Sequence, residues 1–219
     1  MPLTRRGLIV LSAGLALPAL TLPRLAGAQP AASPASPPAA PPAAADPRLG
    51  ERSVGNADAP VRVLEFFSLT CSHCAAFHKE TWPAVKRELV EKGEIRFVWR
   101  DFPLDAVALK AAMVARSLPA ERYEAFTGTL LSTQDRWAFG ANPDDGLARV
   151  AALAGMPRAQ FDQVVADEAL RRAILEQRLL AEREFTIQAT PSFVFGSKPT
   201  TSGNMTFERF AQLAREARG

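Results

Sequence analysis

The chain is short of the residues that most often carry chemistry. Its 219 residues include only two cysteines and two histidines. A structural zinc site needs four ligands arranged around the ion. Here the whole supply is Cys71, His73, Cys74 and His78, crowded onto one or two helical turns. One helix cannot surround a tetrahedral ion with them, so no metal site is expected. An excess of one charge is also lacking. The formal net charge is +3, but residues 1–28 hold three arginines and no acid, and the rest of the chain balances 23 basic against 23 acidic residues. A nucleic-acid binder needs a basic footprint on its folded domain, and this neutral remainder excludes one. Beyond the N-terminus no run of about 20 apolar residues occurs, which excludes a multi-span membrane protein.

The N-terminus reads as an address. Arg5 and Arg6 precede an apolar stretch from Leu8 to Leu22, broken by Pro18 and Pro23, and Ala26-Gly27-Ala28 fits a small-x-small cleavage site. Residues 1–28 are therefore expected to be a secretory signal peptide, with the mature chain starting near Gln29. The alternative is a membrane anchor, for which the apolar run is short. Thr4 to Ile9 also resembles a twin-arginine export signal. Either export route leads to a bacterial periplasm, where disulfides persist. Residues 29–47 contain seven prolines and eight alanines. With so few large apolar side chains they are expected to form an extended tether rather than a packed element. The folded body is then 48–219, long enough for one domain with a real core.

Within that body the pattern alternates. Val61-Arg62-Val63-Leu64-Glu65-Phe66-Phe67 reads as a strand covered on both faces. Residues 71–90 read as a helix kinked at Pro83, and Ile95 to Trp99 as a second strand. Strand, helix and strand in this order make a βαβ unit with a right-handed crossover. Helical patterning follows over 105–117, 120–132, 143–154, 158–166 and 168–184, with Leu170, Ile174, Leu179 and Phe185 as a buried seam. Ser192 to Phe195 reads as a third strand and 200–205 as a weak fourth. Thr206 opens a last helix whose Phe207, Phe210, Leu213 and Ala217 share a face. The expected class is α/β.

The chemistry concentrates at Cys71-Ser72-His73-Cys74, directly after a strand and at the head of a helix. That context makes a CxxC pair informative. A helix N-terminus presents unpaired N–H groups and about half a positive charge. Cys71, at the very end, is expected to be the ionised nucleophile. Cys74, one turn in, is expected to be the shielded resolving thiol. Such settings lower a thiol from about 8.5 to roughly 3.5–7.5. A protonated His73 would add to the effect. A purely structural disulfide is the bland alternative, but a two-residue gap constrains the unfolded chain little. Covalent haem attachment would need His directly after Cys74, where Ala75 stands. His78 is expected on the surface or in helix packing rather than as a ligand.

Several stretches together carry a family resemblance: Gly55-Asn56-Ala57-Asp58-Ala59-Pro60, Glu65-Phe66-Phe67-Ser68, Cys71-Ser72-His73-Cys74, Arg100-Asp101-Phe102-Pro103-Leu104 and Ala189-Thr190-Pro191-Ser192-Phe193. Over residues 53–219 the chain resembles the DsbA-like thiol–disulfide oxidoreductases of the thioredoxin superfamily. The resemblance implies a thioredoxin fold with an inserted all-helical domain over about 105–184. It implies a redox-active Cys71–Cys74 disulfide. It also implies a cis-proline loop at Thr190-Pro191, whose Thr190 backbone binds an extended substrate strand by β-augmentation. Glu65 shares a strand face with Val61, Val63 and Phe67. Burial there would raise its pKa and suit it to carry protons for Cys74. The alternative is a strand-end carboxylate reaching solvent. One departure is Ser72-His73, where the family's familiar dipeptide is Pro-His, and that pair tunes the redox potential.

The expected function is disulfide donation to thiol-containing exported proteins, with a membrane redox partner resetting the pair. No cofactor and no nucleic acid are expected, and the chain is expected to be monomeric. Two other readings stay open. A reductase or isomerase would use the same residues in the other direction. A periplasmic copper carrier would hold Cu(I) on Cys71, Cys74 and His73.

Overall fold

The computed structural model describes residues 46–219. The expected signal peptide and the expected tether up to residue 45 lie outside the described residues. The last two tether positions already belong to the fold. Asp46 accepts the Arg48 backbone N–H at 2.9 Å and opens a short 3-10 turn, Pro47–Leu49. Arg48 also reaches Asp167 at 2.8 Å.

Five strands form one mixed sheet: β1 (Arg52–Val54), β2 (Val61–Phe67), β3 (Ile95–Asp101), β4 (Ser192–Phe195) and β5 (Thr201–Ser202), in spatial order β1-β3-β2-β4-β5. β2 and β3 run parallel, with Glu65 opposite Trp99. β4 pairs antiparallel with β2, Glu65 opposite Phe193. β1 has no counterpart in the sequence reading. Three residues, one an arginine and one a serine, show no apolar alternation, and its place comes from pairing with β3. The turn after β1 needs Gly55 in the left-handed region (φ +97°), where a Cβ would stand 2.7 Å from the Ile95 carbonyl oxygen.

β2 is buried on both faces, as its sequence suggests. Val61, Val63 and Phe67 join the larger core, while Leu64 and Phe66 pack on the other side with Val98, Ala181 and Ile187. The helix expected over 71–90 is one helical run in four pieces: α1 (Ser72–Ala76), a π-turn (Phe77–Thr81), α2 (Trp82–Val85) and a second π-turn (Lys86–Val90). Pro83 lacks an N–H and its ring presses on the carbonyl four residues back. The ladder widens beside it, and the Trp82 N–H bonds the Phe77 carbonyl five residues back.

Between β3 and β4 the chain is all helical: α3 (Ala106–Ser117), α4 (Tyr123–Ser132), α5 (Gln134–Trp137), α6 (Pro143–Leu153), α7 (Arg158–Val165) and α8 (Glu168–Phe185). Asp105, Asn142 and Asp167 cap the first turns of α3, α6 and α8 with their side chains. The α8 seam differs from expectation at one position. Leu170, Ile174 and Ala181 are buried, but Leu179 is 46% exposed. Four residues beyond Ile174 the inward stripe falls on half-buried Arg178, whose guanidinium lies 4.6 Å from the centre of the Phe102 ring. The last helix, α9 (Phe207–Ala217), is capped by Thr206. Its Phe210 packs against Phe195 (ring centres 4.9 Å) and Phe77 (5.9 Å), pressing the helix that carries the cysteines onto the sheet. Among the described residues no helix is long and apolar enough to cross a membrane.

A buried ion pair joins sheet and insertion. Arg116 of α3 pairs with Asp101 at the end of β3, and the Tyr123 hydroxyl donates to the same carboxylate at 2.8 Å. Arg116 Nη1 also donates to the carbonyls of Arg48 and Gly50, at 2.9 and 3.1 Å. Removing one partner of a buried pair leaves the other charge uncompensated, at a cost of about 3–5 kcal/mol. Urea unfolding of Arg116→Ala should show a loss of that size. Tyr123→Phe, which removes one hydrogen bond to a charged group, should lose about 1.5–3 kcal/mol.

Candidate active site

β2 ends at Phe67, four residues leave the sheet, and α1 begins at Ser72. Cys71 is the N-cap residue, in extended conformation (φ −81°, ψ 119°). That places its side chain against the unpaired N–H groups of the first turn. Cys71 is partly buried and Cys74, one turn on, is fully buried. The two are free thiols at 3.4 Å, well beyond a disulfide bond of about 2.05 Å.

The surroundings split the two thiols. The Cys74 thiol donates to the Cys71 sulfur. With the N–H groups of Cys74 and His73, it lowers Cys71 from 9.0 to about 5, against the opposing effect of burial. As a thiol, Cys71 can instead donate to the Thr190 carbonyl at 3.2 Å. That bond favours the protonated form and is outweighed by the donors. Cys74 moves the other way, well above 9.0, through burial first, then its bond with Cys71 and the charge of Glu65.

The structure brings most of the expected residues together. Thr190 faces Cys71 from the loop before β4, and the Thr190-Pro191 bond is cis. Glu65 is fully buried, on the same strand face as Val63 and Phe67, and does not reach solvent. His73 contributes through its backbone. Its ring is exposed and makes no hydrogen bond to the sulfur, and it is the His73 backbone N–H that stabilises the thiolate. Of the two places expected for His78 it takes the packed one, its side chain 6% exposed and its Nε2 3.0 Å from Glu65 Oε2.

Two contacts with the insertion carry no local sequence signal. Gln134, at the start of α5, donates from Nε2 to the Leu69 carbonyl at 2.8 Å and to the Cys71 carbonyl at 3.1 Å. Thr70 donates to Asp105 at 2.6 Å, the same carboxylate that caps α3. The active-site loop is thus held from outside the thioredoxin-like part of the chain. A polar residue opening a short helix gives no hint that it reaches a loop more than 60 residues back. Among the described residues no three His, Cys, Asp or Glu side chains are placed to hold a metal ion.

A family model described as Thioredoxin matches residues 48–214. The chain belongs to this thioredoxin family. Its DsbA-like character shows in the solved structures it resembles. Alpha-DsbA1 from Wolbachia pipientis superposes with a TM-score of 0.72 at 28% identity, covering 78% of this chain and 92% of that one. A protein-disulfide isomerase from Novosphingobium aromaticivorans superposes at 0.65 and 24% identity, covering 76% and 97%, and speaks for the fold alone. A Rickettsia prowazekii protein provisionally named a protein-disulfide oxidoreductase is 28% identical over 141 residues, 64% of this chain and 52% of its own length. A Rickettsia felis relative with the same name is 26% identical over 165 residues, 75% and 59%. The chain therefore spans little more than half the length of these curated relatives. The thioredoxin-like fold and its helical insertion are those expected from the sequence.

Two outcomes follow from the site. A thiol whose folded pKa is depressed stabilises the reduced protein fully above its unfolded value, and the contribution fades as pH falls to the folded value. For Cys71 that window runs from about 9.0 down to about 5. The melting temperature of reduced relative to oxidised protein should decline steadily across it and level off below. Gln134→Ala strands the Leu69 carbonyl and should cost about 1–3 kcal/mol in chemical unfolding.

Proposed function

We propose that this chain is an exported thiol–disulfide oxidoreductase that donates disulfides to thiol-containing proteins in a bacterial periplasm, through Cys71 and Cys74. The observation that carries the reading is the split between the two sulfurs, one held as thiolate and one held protonated. Thiolate stabilisation exists only in the reduced form, so it makes the disulfide a stronger oxidant. Each unit is worth about 1.4 kcal/mol, or about 30 mV in a two-electron couple. At pH 7 only the part between pH 7 and about 5 acts. Cys71 is half-buried, so solvent screening reduces that further.

In the donating direction a substrate thiolate attacks Cys71 Sγ of the oxidised pair. The Cys71–Cys74 bond breaks, its electron pair leaves on Cys74, and a mixed disulfide forms. A second substrate thiolate then attacks the substrate sulfur of that mixed disulfide. The substrate leaves oxidised and Cys71 leaves as thiolate. Two electrons have passed to the enzyme, and a membrane redox partner takes them up. Pro191 and the Thr190 backbone flank Cys71, where an extended substrate strand would add to the edge of the loop. Glu65 serves as proton carrier for Cys74. Residues 1–28 and 29–47 serve as the export signal and tether.

The copper reading is disfavoured because His73 points to solvent and no third ligand joins the cysteines among the described residues. Residues 29–219 should oxidise a reduced peptide. Cys71→Ser should abolish this, and Cys74→Ser should accumulate mixed disulfides. A Cys71→Ser protein with full activity overturns the assignment. Equilibration with glutathione should place the potential above about −200 mV, whereas a value near the roughly −270 mV of thioredoxin would assign a reductant.

A further inference from the structure

Donation makes Cys74 the leaving group, and its environment makes it a poor one. A sulfur whose thiol pKa is raised leaves slowly unless a proton reaches it. Cys74 is fully buried, so that proton must cross the protein. Glu65 stands beside it, equally buried, and has no route to solvent of its own. Glu65 Oε1 meets no donor among the described residues, while Oε2 lies 3.0 Å from His78 Nε2. The rings of Phe67, Phe77 and Trp82 wall in the imidazole, with centres 6.1, 5.6 and 6.0 Å away. Beyond Glu65 only one polar direction is left. His78, with Ala75, Lys79, Trp82 and Glu124, lines a surface cleft of about 330 Å³, and its Nδ1 bonds no described residue. His78 thus meets the buried carboxylate through Nε2 and belongs to the lining of the cleft.

We propose that His78 is the proton relay of the buried thiol, joining Glu65 and Cys74 to water in the cleft. The proposal rests on the disulfide-exchange reading above. As Cys74 leaves, His78 Nε2–H passes its proton to the Glu65 carboxylate, which hands it to the sulfur, and Nδ1 takes one from water in the cleft. One proton enters and one reaches Cys74. When the pair is reoxidised, the same steps run backwards. His78 touches neither sulfur and acts through Glu65.

Two variants of the whole protein test this, with the rate of peptide oxidation as readout and melting temperature as the check on folding. His78→Ala should slow exchange about tenfold or more, within the range of lost acid–base assistance. Added imidazole, which fits the space left beside the cleft, should restore most of the rate. His78→Gln keeps a donor for Glu65 and fills the space but cannot pass a proton. It should be as slow and gain nothing from imidazole. Wild-type rates in His78→Gln, or a slow His78→Ala that imidazole does not rescue, overturn the relay while leaving disulfide exchange standing. Should His78→Ala not fold, the His78→Gln rate decides alone. A wild-type protein with no exchange activity overturns both readings.

Discussion

The Cys71 sulfur collects hydrogen-bond donors from the helix it caps and faces a carbonyl from a loop distant in sequence. The donors are the Cys74 thiol and the N–H groups of His73 and Cys74, and the carbonyl is that of Thr190 in the loop before β4. These donors outweigh the cost of partial burial, and β2, α1 and the Thr190-Pro191 loop meet at this sulfur. The aromatic packing of Phe77 with Phe193, ring centres 4.7 Å apart, serves that end by fixing the cysteine-bearing helix over the strand that follows Thr190.

The helical insertion takes part in the same arrangement. Gln134 and Asp105 grip the residues between β2 and α1, and the Asp101–Arg116–Tyr123 cluster anchors α3 and α4 to the end of β3. A thioredoxin-like sheet with its active loop held from the insertion has less freedom in the position of Cys71. Small displacements there would matter, since hydrogen-bond strength falls steeply with distance and angle.

Much of this was legible in the residues. The three main strands are apolar and β-branched or aromatic, and the CxxC pair between strand and helix announced its own chemistry. Alternation along β2 placed Glu65 inward. What stayed hidden depended on contacts distant in sequence. β1 exists through pairing with β3. The exposure of Leu179 follows from which α8 face meets Phe102. Gln134 and His78 are ordinary helix residues until the fold sets them against a loop carbonyl and a buried carboxylate. The backbone N–H of His73 also faces the sulfur, a contact that follows from helix geometry and that no side-chain pattern in the sequence marks.

The most direct test is to follow thiolate absorbance of the folded, reduced protein over pH. Ionisation of Cys71 near pH 5 is what the converging donors require. Ionisation near 9, as for a cysteine in an unstructured peptide, would show that the donors do not hold the charge and would contradict the account.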